Sequence, residues 1–409
     1  MPREPSRDAA ITDDLRSADA LFRTGNFDAA RRHYTRVLRE EPGNPVAALA
    51  LGHLALLSNR LPKARGLLSA LLEPGPNAAA AGLLADTFYR GDDFARAAPL
   101  FRTLGREAMA RKLESFEGVT PYLIQGPLPA RLKFLQRDPL PLVQLAVSGS
   151  DPGFFLLDTG GSEIILDTDF AQRCGARTLG DEIGTFGGGQ QAAYGHGRVD
   201  SVEFEGVSVR NVPVHLTNLR RLSEIAGGRR LNGILGTVFL HHFTPTIDYP
   251  GRELVLYGRD STSATATGAP SGDSVAVPFW MEKDHFLLVR GAVNHRPLLL
   301  FLDSGLAGGG FTCPESTLGE AGIRLRKGRT LKGPGGGGMM EVVPFTVDSL
   351  SVGGVTKKKV TGLFGAFPPS LENEFGFRIG GLVSHEFLRS YRVTFDFRRM
   401  LLFLDSSTS

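Results

Sequence analysis

The pattern of apolar and polar positions changes from helical to strand-like about a third of the way along the chain. In the first stretch, small and apolar residues recur at helical spacing, and Pro-Gly segments at 42–45 and 74–77 separate the helical parts. Several prolines between 121 and 141 argue against a long helix in the next segment. From Leu142 onwards, short apolar runs alternate with glycine-rich turns, which is typical of short strands. We therefore predict a multidomain protein that is helical first and all-β afterwards.

The helical segment repeats with a period close to 34 residues. Phe27, Leu61 and Phe94 follow one another at 34 and 33 positions, and each is followed by small residues at helical spacing. Stacked helix pairs need small residues where helices cross and prolines between the pairs. Residues 8–116 therefore resemble about three tetratricopeptide repeats. The resemblance implies a concave surface that recruits a protein partner or substrate; the alternatives are a plain helical bundle, or a brace for the β part.

Two short strings in the β part carry the strongest functional signal. Asp158-Thr159-Gly160 and Asp303-Ser304-Gly305 each follow an apolar run, and the two Asp residues are 145 positions apart. An apolar run places each Asp at the end of a buried strand, and the Gly permits a sharp turn. One such string is ordinary turn chemistry. Two carboxylates brought together by two similar folding units, however, can share a proton and activate a water molecule.

The stretches downstream of the two strings are also alike. An apolar pair bounded by small residues occurs in 232–236 and again in 380–384, with its glycine 75 and 78 positions after the respective Asp. With these strings the chain resembles the aspartic proteases, both pepsin-like and retropepsin-like. The resemblance implies two retropepsin-like β-barrel lobes, residues 138–258 and 275–405, related by a pseudo-twofold as in pepsin. A linker rich in Ser, Thr and Gly, residues 259–274, would join them.

The resemblance also implies an endopeptidase that needs no metal or other cofactor. Asp158 and Asp303 would be the catalytic pair: the charged member takes a proton from a water, and the protonated member polarises the scissile carbonyl. The residues implied to support this pair are Thr159, Gly160, Ser304 and Gly305. The two hydroxyl residues would hydrogen-bond across the lobe interface, and the glycine amides would face the carboxylates. The alternative is a pair of buried turn Asp residues in a duplicated β domain.

Three features bear on this interpretation. Pepsin-like enzymes have Ser after the Asp-Thr/Ser-Gly triplet, whereas this chain has Gly161 and Leu306. That departure keeps a rival open, a peptide-binding scaffold with weak or no catalysis. Asp248 and Asp396 form a competing carboxylate pair, but their alternating strand context predicts edge or turn positions. His241 and its neighbour have no ligand partners at suitable spacing, so we expect them to be structural.

Two glycine-rich segments, 185–191 and 333–340, are predicted to be flaps over the site. They lie at similar distances after the two Asp residues, and glycines lower the cost of moving a flap. The candidate substrate-contacting residues are Phe186, Gly187, Gly188, Gly336, Gly337 and Met339. The alternative for each segment is a surface hairpin without a role in substrate binding.

Composition narrows the class of protein further. The 409 residues are 42% hydrophobic and 22% charged, as in soluble globular proteins. A formal charge of +3 does not favour nucleic acid as a partner, and no apolar run reaches the ~18 residues of a membrane span. The N-terminal residues lack the apolar stretch of a signal peptide. We expect a cytoplasmic monomer that acts on peptide or protein substrates, or a periplasmic or secreted one if the N-terminus is processed.

Overall fold

The computed structural model describes residues 7–260, 274–325, 328 and 330–406. Its N-terminal part, here called the helical region, consists of the helices α1 (Arg7–Arg23), α2 (Phe27–Glu40), α3 (Pro45–Leu57), α4 (Leu61–Ala70), α5 (Ala78–Arg90), α6 (Phe94–Thr103) and α7 (Glu107–Glu114). Asn44 and Asn77 cap α3 and α5, because each side-chain oxygen accepts a hydrogen bond of 3.0 Å from the amide three residues later. Consecutive helices pack against each other, as the period predicts.

The next part, residues 123–258, is here called the first β half. Its strands are β1 (Leu123–Gln125), β2 (Ala130–Lys133), β3 (Leu142–Val147), β4 (Gly153–Leu157), β5 (Ile164–Asp167), β6 (Arg177–Thr185), β7 (Gln191–Phe204), β8 (Val207–Thr217), β9 (Gly233–Leu235), β10 (Phe243–Asp248) and β11 (Glu253–Gly258). Two short helices belong to it, α8 (Thr168–Arg173) and α9 (Thr237–Leu240).

The last part, residues 274–406, is the second β half. Its strands are β12 (Ser274–Glu282), β13 (Phe286–Val293), β14 (Arg296–Leu302), β15 (Phe311–Thr312), β16 (Leu331–Gly335), β17 (Gly338–Val352), β18 (Val355–Phe364), β19 (Gly381–Val383), β20 (Tyr391–Asp396) and β21 (Leu401–Ser406). Its helices are α10 (Glu315–Glu320) and α11 (His385–Leu388).

The two β halves repeat one pattern of strand pairing. In the first half β4 pairs parallel with β9, β9 pairs antiparallel with β5, and β5 pairs parallel with β8. In the second half β14, β19, β15 and β18 are paired in the same order and sense. Leu157 lies opposite Leu235, and Leu302 lies opposite Val383. The strand that ends immediately before each predicted Asp therefore occupies the same place in both halves.

A continuous set of strands joins the halves, in the order β12-β21-β20-β10-β11-β2. β10 and β20 meet antiparallel, and the buried hydroxyl groups of Thr246 and Thr394 hydrogen-bond there at 2.8 Å. Asp248 and Asp396 end these two strands, and each accepts a backbone N–H from the following turn, at 2.6 and 2.8 Å. They occupy turn positions, as their sequence context predicts.

The helical region packs on both β halves instead of standing apart from them. Phe27 lies edge-on to Trp280 and Phe377, with ring centroids 5.2 and 5.0 Å apart, in one shared apolar cluster. The guanidinium of Arg90 donates to the carbonyl of Met281 at 2.9 Å. Whether each predicted domain folds by itself within its predicted limits stays a prediction. Most of the predicted linker, residues 261–273, lies outside the described residues.

Candidate active site

The two predicted Asp residues begin equivalent loops. The amide of Asp158 donates to the carbonyl of Leu235 at 3.1 Å, and the amide of Asp303 donates to that of Val383 at 3.0 Å. Each loop then turns so that the Gly two residues later donates its amide to the carboxylate, at 2.8 Å in the first loop and 2.7 Å in the second. In both loops the glycine amide therefore faces the carboxylate, as the sequence predicts.

The two loops are joined by a reciprocal pair of hydrogen bonds. The amide of Thr159 donates to Oγ of Ser304 at 2.9 Å, and the amide of Ser304 donates to Oγ1 of Thr159 at 3.0 Å. Both side chains are buried, so water does not compete with these bonds. The predicted contact across the halves is present, and it fixes the register of one loop against the other.

This contact brings the two carboxyl groups together. A Cβ atom at Gly160 would overlap the carboxyl group of Asp303, and a Cβ atom at Gly305 would overlap that of Asp158. Both positions therefore require glycine, because each carboxyl group lies directly over the opposite turn. Asp158 and Asp303 are each partly buried as whole residues.

The electrostatics differ between the two carboxyl groups. Burial raises the pKa of Asp303 well above its usual value, and the charge of Asp158 raises it further. Burial also raises the pKa of Asp158, but the hydrogen bond from Asp303, the amide of Gly160 and the charge of His285 all oppose that rise. The arrangement therefore favours a single proton shared by the two carboxyl groups.

The two predicted flap segments are hairpin tips that meet each other. The first tip joins β6 to β7, and the second joins β16 to β17. Nε2 of Gln190 donates to the carbonyl of Met339 at 3.0 Å, and the amide of Gly188 donates to the carbonyl of Ala366 at 2.8 Å. Phe186 lies against the second tip, where a Cβ atom at Gly336 would come within 2.8 Å of its ring. Contact of these tips with a substrate stays a prediction.

The outer positions of the two loops carry no hydroxyl group. The amide of Gly161 donates to the carbonyl of Asp158 at 3.1 Å. The amide of Leu306 donates to Oγ of Ser384 at 3.0 Å, and its side chain packs beside Met340 and Leu363. The departure from the pepsin pattern therefore leaves the outer side of the second loop apolar.

The histidine pair at 241–242 is structural, as predicted. The ring of His242 stacks on Tyr122 with centroids 3.7 Å apart, and its Nε2 lies 3.1 Å from a carboxylate oxygen of Asp92. His241 packs against Phe397, and burial lowers its pKa well below the usual value. Among the described residues, no group of three or more His, Cys, Asp and Glu side chains is arranged to hold a metal ion.

Sequence reasoning missed a buried tyrosine near the pair. Tyr249 directly follows Asp248, and its ring lies 5.3 Å from that of His385. Burial and the charge of Asp158 raise the pKa of the phenol, while the nearby Ser304 hydroxyl lowers it. The equivalent residue in the second half is Phe397. Comparison of the strings 246–249 and 394–397 would have identified this difference.

Sequence reasoning also missed a cluster of polar groups beside the first loop. Oγ of Ser162 lies 3.3 Å from Nδ1 of His215, whose Nε2 lies 3.3 Å from Nζ of Lys112 in α7. Nε2 also lies 3.6 Å from Oε2 of Glu163, so the ring contacts both partners of the Lys112–Glu163 pair. The cluster joins Ser162 to the Lys112–Glu163 pair through one imidazole ring.

Comparison with known proteins gives two matches. A family model described as tetratricopeptide repeat matches residues 21–87, and one described as aspartyl protease matches residues 143–239. The chain thus carries a tetratricopeptide repeat and an aspartyl protease domain, as the sequence predicts. Asp158 lies inside the second match, whereas Asp303 lies beyond it. No curated protein matches the chain. None of the helices in the described ranges is long and apolar enough to cross a membrane.

Proposed function

We propose that this protein is an aspartic endopeptidase whose catalytic pair is Asp158 and Asp303. The proposal depends above all on the crossed placement of the two carboxyl groups, each over the glycine of the opposite loop. The aspartyl protease match over residues 143–239 supports it independently. Two carboxyl groups in such contact cannot both ionise easily, so they hold one proton between them.

In the proposed reaction Asp158 is the general base. It accepts a proton from a water held between the carboxyl groups, and the resulting hydroxide attacks the scissile carbonyl carbon. Asp303 donates its proton to the carbonyl oxygen, which yields a neutral tetrahedral diol and leaves the pair with the proton on Asp158. In the collapse of this diol, Asp158 donates its proton to the amide nitrogen, the C–N bond breaks, and Asp303 accepts the proton of one diol hydroxyl. The pKa of Asp303 is raised well above its usual value and that of Asp158 less so, which supports this division of roles.

We further propose that the two β halves are the two retropepsin-like lobes of one pepsin-like unit. The repeated strand pairings, and a strand order through the joining sheet that reads alike from either end, support a pseudo-twofold relation. Under this proposal an extended peptide would lie between the lobes and beneath the two hairpin tips, bound through strand-type hydrogen bonds. Both halves would come from one chain, so the site would be complete in a monomer.

Two roles are open for the helical region. Tetratricopeptide repeats are protein-interaction modules, which supports recruitment of a substrate or partner. The contacts of Phe27 and Arg90 with the second β half instead favour a brace. A shared apolar cluster of this kind leaves less of the helical surface free for a partner.

The alternative function is a peptide-binding scaffold with weak or no catalysis. The observation that favours it is the absence of an outer hydroxyl group at Gly161 and Leu306. Such a protein would bind extended peptides between the halves without cleaving them. Binding and cleavage must therefore be measured separately.

The test compares Asp158→Asn and Asp303→Asn with the control Asp248→Asn. Asparagine keeps the shape of the side chain but cannot accept the water's proton. We expect either dyad change to reduce cleavage of an unstructured protein, followed by mass spectrometry, by about 10³-fold or more. The control carboxylate accepts a turn amide, as an asparagine oxygen also can, so it should keep full activity. Intact peptide binding without cleavage in the wild type would establish the scaffold instead.

A further inference from the structure

A fully buried ion pair connects the helical region to the loop that carries Asp158. Nζ of Lys112, in α7, lies 2.6 Å from Oε1 of Glu163, and both side chains are completely excluded from solvent. The hydroxyl of Tyr89, in α5, donates to the same carboxylate oxygen. Burying two charges costs several kcal/mol of desolvation each, which only close pairing and further hydrogen bonds offset. A contact of this kind is specific in its geometry.

The same ammonium group reaches a second side chain of the loop through a histidine. Nζ of Lys112 lies 3.3 Å from Nε2 of His215, and Nδ1 of that ring lies 3.3 Å from Oγ of Ser162. Burial lowers the pKa of His215 well below its usual value, so the ring is neutral and bridges the two groups as donor and acceptor. Lys112 thereby orients two successive side chains, Ser162 and Glu163.

The backbone of this loop is held from its other side by α9. The amide of Thr237 donates to the carbonyl of Gly161 at 2.9 Å, and that of Val238 donates to the carbonyl of Ser162 at 2.8 Å. The hydroxyl of Thr237 donates to the carbonyl of Thr159 at 2.8 Å. The α9 contacts fix the backbone, whereas the side chains of Ser162 and Glu163 are fixed by Lys112. Glu163 lies five positions after Asp158 in the same loop.

We propose that Lys112 of the helical region is a positioning residue of the active site, which fixes the Asp158 loop through Glu163 and through His215 with Ser162. The proposal rests on the proposed function for its kinetic consequence, but its structural consequence is independent of it. The tetratricopeptide-like part is then a component of the catalytic unit in addition to any partner it binds.

The test uses the full-length chain with Lys112→Met and with Lys112→Met/Glu163→Gln. Methionine has nearly the length of lysine without its charge, and the double change removes the charge that the single change would leave buried. The matched control, Asn59→Gly, removes a hydrogen bond between the helical region and the carbonyl of Phe397. That control touches neither the Asp158 loop nor the ion pair, and its positive φ of 54° suits glycine.

We expect both Lys112 variants to lower kcat on a short peptide at least tenfold while KM changes less than threefold, since the loop positions the reacting group. The melting temperature of the double variant should be closer to that of the wild type than the melting temperature of the single variant is. Its kcat should nevertheless remain low. Hydrogen–deuterium exchange of the amides at 159–163 should rise in both variants and stay unchanged at 304–310. Asn59→Gly should leave kcat and both exchange patterns as in the wild type.

The two proposals fail in different ways. A wild type that cleaves no peptide would remove the proposed function, and the exchange of residues 159–163 would then decide the role of Lys112 alone. A double variant with wild-type kcat and wild-type exchange in that loop would overturn the positioning role while leaving the endopeptidase proposal intact. The positioning role would also be overturned if the loss of activity in Lys112→Met only followed its lower melting temperature. In that case the double variant would regain both the melting temperature and the activity of the wild type.

Discussion

The loops after β4 and β14 share the amide contacts of their Asp and Gly residues but have different surroundings. The loop of Asp158 is flanked by a lysine, a glutamate and a neutral histidine contributed partly by the helical region. The loop of Asp303 is flanked by apolar side chains, among them Leu306, Leu363 and Met340. Matching strand pairings therefore bring two carboxyl groups together from loops with unlike surroundings.

Different charges also act on the proposed base and the proposed acid. The charge of His285 lowers the pKa of Asp158 and does not act on Asp303 to a comparable extent. Burial and the charge of Asp158 favour the neutral form of the Asp303 carboxyl group. The first β half thus holds the proposed base, and the second β half holds the proposed acid.

The largest effect on kcat in this comparison of the two loops is expected from substitution of their turn glycines. Gly160→Ala and Gly305→Ala each place a Cβ atom where the opposite carboxyl group lies. Because a displacement of about 1 Å at reacting groups costs on the order of 10²-fold, we expect each change to lower kcat by about that factor or more. Gly319→Ala in α10 meets no atom within 4 Å and serves as the control. Activity near the wild type in either turn variant would contradict the crossed arrangement.

The sequence predicts the repeated parts of this molecule better than the parts that occur once. The helical period, the change to short strands and the two Asp strings are local patterns, and duplication makes the last of these recognisable. The pairing of Lys112 with Glu163 joins residues 51 positions apart through the packing of α7 on the first β half. No local pattern marks either residue, since a lysine in a helix is usually solvated.

The contact between the two hairpin tips is a similar case. Their glycine content and equal spacing from the two Asp residues indicate that the hairpins are equivalent. The hydrogen bond from Gln190 to Met339 depends on how the two β halves face each other, 149 positions apart in sequence. Long-range geometry of this kind follows from the complete sheet order and not from either segment alone.

A second prediction concerns pH and sharpens the assignment of the shared proton. The pKa of Asp303 is raised well above its usual 3.8, so the unfolded state loses this proton at lower pH than the folded state does. The free energy of unfolding therefore falls as pH rises from about 4 towards the raised pKa. Asp303→Asn removes this pH-dependent decrease in the free energy of unfolding. The melting temperature of the variant should therefore exceed that of the wild type at neutral pH and approach it below pH 4.

Activity should follow the same shared proton. Turnover should rise as Asp158 ionises and fall as Asp303 loses its proton, which gives a bell-shaped profile of kcat/KM with its alkaline limb well above pH 4. The measurement is kcat/KM on one short peptide across the stable pH range, with melting curves of the wild type and Asp303→Asn in parallel. An Asp303→Asn variant that is less stable than the wild type at neutral pH would contradict the raised pKa of Asp303.

The smallest expected effect comes from Tyr249, the polar residue that the first half has where the second half has Phe397. Its buried hydroxyl makes no hydrogen bond within the described residues, although the Ser304 hydroxyl lies close enough to influence its pKa. Tyr249→Phe removes an unpaired polar group, so we expect the free energy of unfolding to stay equal or rise by about 1 kcal/mol, and kcat to stay within about threefold. Chemical denaturation and kinetics on a short peptide measure both quantities. A fall in kcat of tenfold or more at unchanged stability would show that the phenol supports Ser304 or the dyad directly, and the asymmetry between the loops would then extend beneath the dyad as well as beside it.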